Sequence, residues 1–452
     1  MTNILALRRE DLSKKGEQRA AISPELAREL VASGHQLLVQ SGRHPQSGEV
    51  KRIFPDEEYA AAGALITEDL SPARVVFGLK EIETAKLMPA KAYYFFSHTH
   101  KGQLKNRGML HSLCEKGCTL IDYELMADER GQRVLTAFTY FAGYAGMTDS
   151  LWALGQRLLA KGITNPFTAI PQAIEKADLQ AVKDLIAGVG RDIAQKGTPE
   201  ALPPVICCFL GAGKTSTGAQ SMYQLLNPQH ISLEELPHIY QHGSRKKVYQ
   251  LVLDIPEMYR FRAESSYRGA GLSRAEVFEL YLREPQHFES NMDQVFPWCT
   301  LLMNCILWSP AYPRLISRAD AARWYAQADC LQVIGDITCD PEGAIEFSQE
   351  TWIDQPVFVY DPHTQSMHFG FEGDGIAVMA VTNLPCEFSA DASRQFASEL
   401  RPYMQRIAGA NYEAEAAESA GLPPEVLEAT ILWKGKFTEK YAYMQQFIEQ
   451  SP

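Results

Sequence analysis

The chain has 452 residues, enough for two or three domains, and its 46% hydrophobic and 22% charged residues are an ordinary globular balance. A formal net charge of −12 argues against nucleic acid as the main partner, because phosphate binding calls for a basic face, and leaves small substrates open. Nine scattered cysteines with no answering ligand pair give neither a metal site nor a disulfide framework, no run approaches the ~18 apolar residues of a membrane span, and Met1–Glu10 is too short in apolar residues for a signal peptide, so the expectation is a cytoplasmic protein with reduced thiols and no membrane partner.

Ile4–Leu7 reads as a first strand. Ser23-Pro24-Glu25 then opens a helix, with Ser23 as N-cap, Pro24 in the first turn and Glu25 at the positive helix end; Leu26, Leu30 and Val31 form its apolar stripe, and Gly34 ends it. Leu37–Gln40 is the next strand. Three apolar runs follow, each stopping on reactive side chains. Val75–Leu79 runs into Lys80 and Glu81, Ala92–Phe96 into Ser97 and His98, and Thr119–Ile121 into Asp122, Tyr123 and Glu124. Such runs read as buried strands, and in open α/β sheets ligands bind beyond the carboxyl ends of the strands. A polar residue after any one strand is ordinary. Three in succession would place a lysine, a histidine and a glutamate on one sheet edge, an acid/base set in a cleft.

Beyond Tyr140–Gly146, which is small and aromatic, helices are expected over Leu151–Leu159 and Ala181–Ile193, although Gly188 and Gly190 weaken the second. The Pro/Gly-rich stretch Gly197–Pro204 breaks the chain before the strand Val205–Leu210. This strand leads into Gly211-Ala212-Gly213-Lys214-Thr215-Ser216-Thr217-Gly218 and then a helical stretch to Leu226, the phosphate-binding entry of a dinucleotide fold. Gly211 would make the turn, Gly213 would admit the pyrophosphate, Ser216 would lie at the cofactor, and Gly218 would sit at a close helix–strand contact. The third glycine is two positions late for G-x-G-x-x-G. Gly213-Lys214-Thr215 suggests a P-loop, but the glycine required five positions earlier is Cys208, inside the strand, so nucleotide hydrolysis is disfavoured. His230–Leu233 is the next strand, which puts Ser232 at the ribose, and Arg245-Lys246-Lys247 beyond it could grip a 2′-phosphate, a lean toward NADPH with NADH as the alternative. Val333–Asp336 reads as a later strand, and helical patterns appear near 391–407 and 436–449. The fold class expected is α/β, with two Rossmann-like, doubly wound parallel-sheet domains and an interdomain cleft: a substrate domain over 1–140, a dinucleotide-binding domain over 141–350, and a segment over 351–452 that returns to the first domain.

Several segments carry a family resemblance. Arg8-Arg9-Glu10 followed by Glu17–Pro24 resembles the N-terminus of the alanine dehydrogenase and transhydrogenase superfamily. Gly78-Leu79-Lys80, Phe95–Thr99, Leu120–Glu124, Ala142–Met147, Pro313-Arg314-Leu315, Gly335-Asp336-Ile337, Ile345-Glu346-Phe347 and Asn383-Leu384-Pro385 resemble, in order, the lysine–ketoglutarate reductase half of the bifunctional aminoadipic semialdehyde synthases. The resemblance covers nearly the whole chain. It implies an NAD(P)-dependent oxidoreductase acting on a CH–NH bond, which condenses L-lysine with 2-oxoglutarate and reduces the product to saccharopine, or runs in reverse. It further implies that saccharopine cleavage is left to a separate glutamate-forming saccharopine dehydrogenase.

By that analogy Lys80 and His98 are the acid/base pair, one for carbinolamine formation and dehydration, the other for protonating nitrogen. Glu81 and Glu124 would hold Lys80 or the substrate amine, Arg19 would clamp a substrate carboxylate through its planar fork, and Asp336 would sit near the nicotinamide ribose. His100, two residues from His98, is a rival for the same role. Two other functions stay open: an opine or amino-acid dehydrogenase with a different amine or keto acid, and a dinucleotide-binding protein without catalysis.

Overall fold

The computed structural model describes residues 3–176, 178–328 and 330–449, and the chain divides into two units, one from residues up to 137 and from 389 onward, the other from 138 to 388. In the first unit the chain lays down β1 (Leu5–Leu7), β2 (Leu37–Val39), β3 (Leu65–Ile66), β4 (Val75–Phe77), β5 (Ala92–Phe95) and β6 (Thr119–Asp122). In the second it forms β7 (Ile206–Leu210), β8 (Gln229–His230), β9 (Tyr249–Leu253), the hairpin strands β10 (Tyr259–Phe261) and β11 (Phe288–Ser290), β12 (Leu301–Asn304), β13 (Val333–Asp336), β14 (Val357–Asp361), β15 (Ser366–Phe369) and β16 (Ile376–Met379). It then returns to the first unit with β17 (Thr430–Trp433) and β18 (Lys436–Phe437).

The first sheet has the order β18-β17-β6-β5-β4-β1-β2-β3, parallel from β6 to β3, with β17 antiparallel to β6. Because β1, β4, β5 and β6 run the same way, the residues after each of them share one edge. Buried Ala6, Val76, Tyr93, Phe95, Leu120 and Ile431 join Leu110 and Leu113 of the helix Arg107–Glu115 in one core. The helix Pro24–Ala32 starts where the sequence predicts: the Ser23 hydroxyl accepts from the Leu26 N–H, Pro24 needs no donor in the first turn, and Gly34 follows in the left-handed region at φ 86°.

The second sheet has the order β15-β14-β16-β13-β12-β7-β9-β8, parallel from β16 through β8, with β14 antiparallel to β16. The second unit therefore runs to residue 388 rather than stopping at 350, because β16 pairs with β13 and draws β14 and β15 into this sheet. Only the chain after 388 belongs with the first unit. Tyr140–Gly146 does not precede a helix but lies within one, Ala137–Ala160. Glycines that weaken a helix in isolation are required here by close approach: a Cβ on Gly143 would come within 2.2 Å of the Thr215 carbonyl oxygen. The stretch near 436–449 is helical only in part: it opens with β18, continues as a 3₁₀ turn over Glu439–Met444 and ends in the short helix Gln445–Glu449.

One buried acid pair stands out in this second unit. Asp149, on the helix Ala137–Ala160, accepts from the Ala173 N–H (2.8 Å), and Glu387 accepts from the Ile174 N–H (3.1 Å). Both carboxyls are fully enclosed, and their other oxygens, Asp149 Oδ2 and Glu387 Oε1, have no other donor. The two groups contact each other. Burial pushes Asp149 up to about 6, and burial together with the Asp149 charge pushes Glu387 well above its ordinary range, so one proton is shared between them.

Since both folded pKa values lie above the unfolded ones, the stability they contribute is full below about pH 4 and is lost as pH rises through 6 and beyond. The thermal midpoint of the wild type is expected to fall by several degrees between pH 5 and pH 8. In E387Q, whose amide donates to Asp149 without a second charge, that fall is expected to shrink by at least about half; an identical pH dependence in the two proteins would show that the pair shares no proton.

Candidate functional site

Buried carboxylates staple the reactive edge of the first unit together. Glu10, just past β1, accepts from the backbone N–H groups of Leu79 (2.8 Å) and Lys80 (2.9 Å), and Asp11 accepts from the Glu83 N–H (2.8 Å). Arg8 lies against both acids and offsets the cost of enclosing them. Burial nevertheless raises the Glu10 pKa, while Asp11, despite its burial, is held low by Arg8, the Glu83 N–H and Lys86. The Phe96 N–H donates to the Leu79 carbonyl (2.9 Å), which carries the β4–β5 pairing beyond the strands and sets Lys80 opposite the Ser97–His98 turn. Asp122, at the end of β6, accepts from both the Ser97 N–H (3.0 Å) and the Ser97 hydroxyl (2.5 Å), while its other oxygen takes the Glu124 N–H (2.8 Å).

This scaffold holds His98 in the left-handed region, at φ 49°. That conformation is costly for a non-glycine residue and persists only where neighbours enforce it. Here Ser97 is tied to Asp122, and Asn106 Nδ2 donates to the His98 carbonyl (3.1 Å). The His98 ring meets Glu81 Oε1 through Nδ1 (2.8 Å), and Lys14 Nζ donates to Glu81 Oε2 (2.6 Å). Burial would raise the Glu81 pKa, but the bonds from His98 and Lys14 outweigh it and hold the carboxyl far below its ordinary range. An ionised Glu81 accepts, so Nδ1 carries the hydrogen and Nε2 is the nitrogen left to exchange a proton.

His98 lines a pocket of about 240 Å³ together with Phe96, His100, Lys101, Gln103, Glu124 and Arg133. Glu124 pairs with Arg133 (2.8 Å) and, more distantly, Lys101 (3.8 Å); these cations hold its carboxyl low against the opposing effect of burial. Burial lowers the His100 pKa despite the nearby Glu124 and Asp122, and its Nδ1 has no partner, so it is a neutral imidazole at pH 7. Two imidazoles, two cations and a carboxylate around one small pocket can bind an anionic substrate and move protons near neutral pH.

The expected site residues divide on inspection. His98 and Glu124 share the pocket, and Glu81 stands behind His98. Glu81 grips Lys14 and His98 rather than Lys80. Lys80 follows β4 with its backbone held by Glu10, and it is absent from the pocket lining. Arg19 is buried and bonded through Nε and Nη2 to both oxygens of Glu17 (2.8 and 2.6 Å), so the carboxylate in its fork is internal. Lys14, Lys101 and Arg133 were not anticipated; each comes from a polar stretch where no periodicity or motif marks one cation above another.

In the second unit the glycine turn follows β7 at the carboxyl edge of the sheet. Gly211 has φ 93°, which only glycine adopts readily, and its N–H donates to the Leu253 carbonyl at the end of β9 (2.8 Å). Gly213 caps the helix Lys214–Tyr223; a Cβ there would meet nothing within 4 Å, and no acidic residue lies in the first turn. Open backbone at the positive end of a helix suits a pyrophosphate, so these residues fit a dinucleotide. Gly218, by contrast, packs helix on helix rather than helix on strand: a Cβ would lie 2.5 Å from the Tyr140 carbonyl oxygen. Ser216 is buried, with its hydroxyl accepting from Gln220 Nε2 (2.9 Å).

Three further cofactor expectations change. Asp336 is enclosed, and its oxygens accept from Asn304 Nδ2 (2.8 Å), the Thr338 hydroxyl (3.0 Å) and Ser348, so it braces β12 and β13 rather than facing a ribose. Ser232 follows β8, but β9 lies between β8 and β7, so Ser232 is one strand too far out. Arg245 precedes β9, which runs parallel to β7, and therefore lies at the opposite edge from the glycine turn, bonded to the carbonyls of Leu202 and Glu200 (both 3.0 Å). The residue that does follow the neighbouring strand is Asp254.

Residues 6–145 match the family model described as the alanine dehydrogenase/PNT N-terminal domain. The chain is 32% identical to the α-aminoadipic semialdehyde synthase of Arabidopsis thaliana over 97% of its own length and 41% of that protein's. It is also 32% identical to a Neurospora crassa saccharopine dehydrogenase [NAD(+), L-lysine-forming] over 48% of this chain and 55% of that one. The chain thus spans about half the length of these relatives or less. A solved L-alanine dehydrogenase superposes with a TM-score of 0.61 at 20% identity, covering 98% of this chain and 99% of that one, which shows a common fold.

Ser97→Ala removes one of the two donors at the enclosed Asp122 Oδ2. A loss of about 1–3 kcal/mol is expected, read as a lower urea midpoint at unchanged slope; an unmoved midpoint would mean that Asp122 does not anchor this turn.

Proposed function

From the match of residues 6–145 to the alanine dehydrogenase/PNT N-terminal domain and the 32% identity to an α-aminoadipic semialdehyde synthase, we propose that this chain condenses the ε-amine of L-lysine with 2-oxoglutarate and reduces the imine to saccharopine, or oxidises saccharopine in reverse. The observation that carries the reading is the Lys14–Glu81–His98 chain of contacts, with His98 lining a pocket that Lys101 and Arg133 also line. A reduced nicotinamide dinucleotide, when bound, supplies the hydride that the imine carbon accepts.

The chain's own residues handle protons and charge. Attack of the amine on the ketone gives a carbinolamine, whose oxygen must gain a proton to leave as water. Lys80, on the same edge and with no partner for its ammonium among the described residues, is assigned to that step. His98 Nε2 delivers the proton that the nitrogen takes up on reduction. Glu81 stays ionised throughout, keeps the Nδ1 hydrogen in place and stabilises the imidazolium, which gives up its Nε2 proton on reduction and re-forms in the reverse direction. Arg133 and Lys101 offer the pocket's anion contacts, and Glu124 keeps both cations oriented while offering the incoming ammonium a partner. Arg19, already engaged with Glu17, would reach a substrate carboxylate only by sharing its fork.

Two experiments test this. Purified protein with 2-oxoglutarate and a panel of amines, followed by loss of nicotinamide absorbance with NADPH and NADH in parallel, is expected to turn over with L-lysine and not with either substrate alone. Turnover with another amine only would replace the substrate and keep the chemistry. Separately, H98A and K80A are each expected to lower kcat by about 100-fold or more while cofactor Kd stays within about twofold; undiminished turnover in either variant removes that residue from the mechanism.

A further inference from the structure

The nucleotide preference of this chain is written at the end of β9, and this inference rests on the dinucleotide reading of the second unit. β9 is the strand hydrogen-bonded beside β7, with Leu210 opposite Leu253, and the Gly211 N–H closes onto the Leu253 carbonyl (2.8 Å). The first residue past β9, Asp254, is therefore adjacent to the glycine turn that would carry the pyrophosphate. In dinucleotide folds the end of this neighbouring strand faces the adenosine ribose, where a carboxylate accepts from both hydroxyls. Chain order had pointed to Ser232 instead, but Ser232 follows the edge strand β8.

We infer that Asp254 is the specificity-determining residue of the cofactor site and selects NAD(H) over NADP(H). Its carboxylate is half-buried and held in place: Oδ1 accepts from the Ile255 N–H (2.9 Å), and the Asp254 N–H donates to Glu257 Oε2 (3.0 Å), a reciprocal cap on the turn Ile255–Met258. A fixed acid at this point accepts hydroxyls and repels a phosphate carrying nearly two negative charges. Two candidate cations do not offset it. Arg245 is at the other sheet edge, and Arg274, across a recess of about 310 Å³ beside Asp254, is bonded through both terminal nitrogens to Glu257. Glu279 on the same recess adds a second negative charge.

The test is direct binding of NADH and NADPH to the whole chain, by fluorescence titration, without amine or keto acid. Wild type is expected to bind NADH at least about tenfold more tightly than NADPH. D254N keeps the helix cap and removes the charge, and is expected to bring the two affinities within about threefold, chiefly by improving NADPH binding; D254S should do the same. Tighter binding of NADPH by the wild type, with Arg274 released from Glu257 to meet the phosphate, overturns the inference while leaving the dinucleotide reading intact. A preference unchanged in D254N also overturns it. Binding of neither nucleotide removes the inference and its premise together, whereas failure of the condensation assay with NADH still bound counts only against the reaction.

Discussion

At the carboxyl ends of the parallel strands, enclosed carboxylates capture the backbone N–H groups that the sheets leave behind. Glu10 holds Leu79 and Lys80, Asp11 holds Glu83, and Asp122 holds Ser97 and Glu124. In the second unit Asp336, at the end of β13, holds Cys339. A buried charge is tolerable only when hydrogen bonds saturate it, and these loops supply the bonds. The dependence runs both ways: without the acids the loops would be free to move, and without the loops the acids could not be buried. The reactive side chains sit on the segments so held.

The consequences differ along the edge. Where the carboxylate takes its hydrogen bonds from backbone N–H groups, as at Glu10, it shapes the chain, and burial raises its pKa despite the nearby Arg8. Where it meets an imidazole and an ammonium, as at Glu81, it remains ionised and passes that charge on to His98. The left-handed backbone of His98 belongs with this arrangement, since strain of this kind collects where a side chain must be aimed against its local preference. Glu124 plays a third part, as the acidic member of a largely cationic pocket. Three carboxylates along one sheet edge therefore do different work because their partners differ in kind.

Much of the fold was legible because short apolar runs ending on polar residues describe parallel strands well, and the Ser23-Pro24 helix start states its own chemistry. The strand ends at Lys80, His98 and Glu124 could likewise be read directly. What could not be read was partnership at a distance. Nothing near Glu81 in sequence points to Lys14, and nothing near Arg19 says that its fork belongs to Glu17 rather than to a ligand, although only one residue separates them. The cofactor edge failed for a topological reason. β9 lies between β7 and β8, an order that chain sequence does not reveal, so Ser232 follows an outer strand, Asp254 follows the strand beside the glycine turn, and Arg245 lies at the far edge. Tyr140–Gly146 misled for an energetic one, because local propensity disfavours glycine in a helix, whereas close packing against the Thr215 carbonyl demands it.

The central claim is that His98, fixed by Glu81, exchanges the proton of a secondary amine formed from an amino acid and a keto acid. The most direct measurement is a crystal structure of the chain with saccharopine and oxidised nicotinamide dinucleotide. The account expects the secondary-amine nitrogen within about 3 Å of His98 Nε2, with Nδ1 still on Glu81. Saccharopine bound with that nitrogen against another proton carrier, His100 or Lys80, and out of reach of His98 would contradict it.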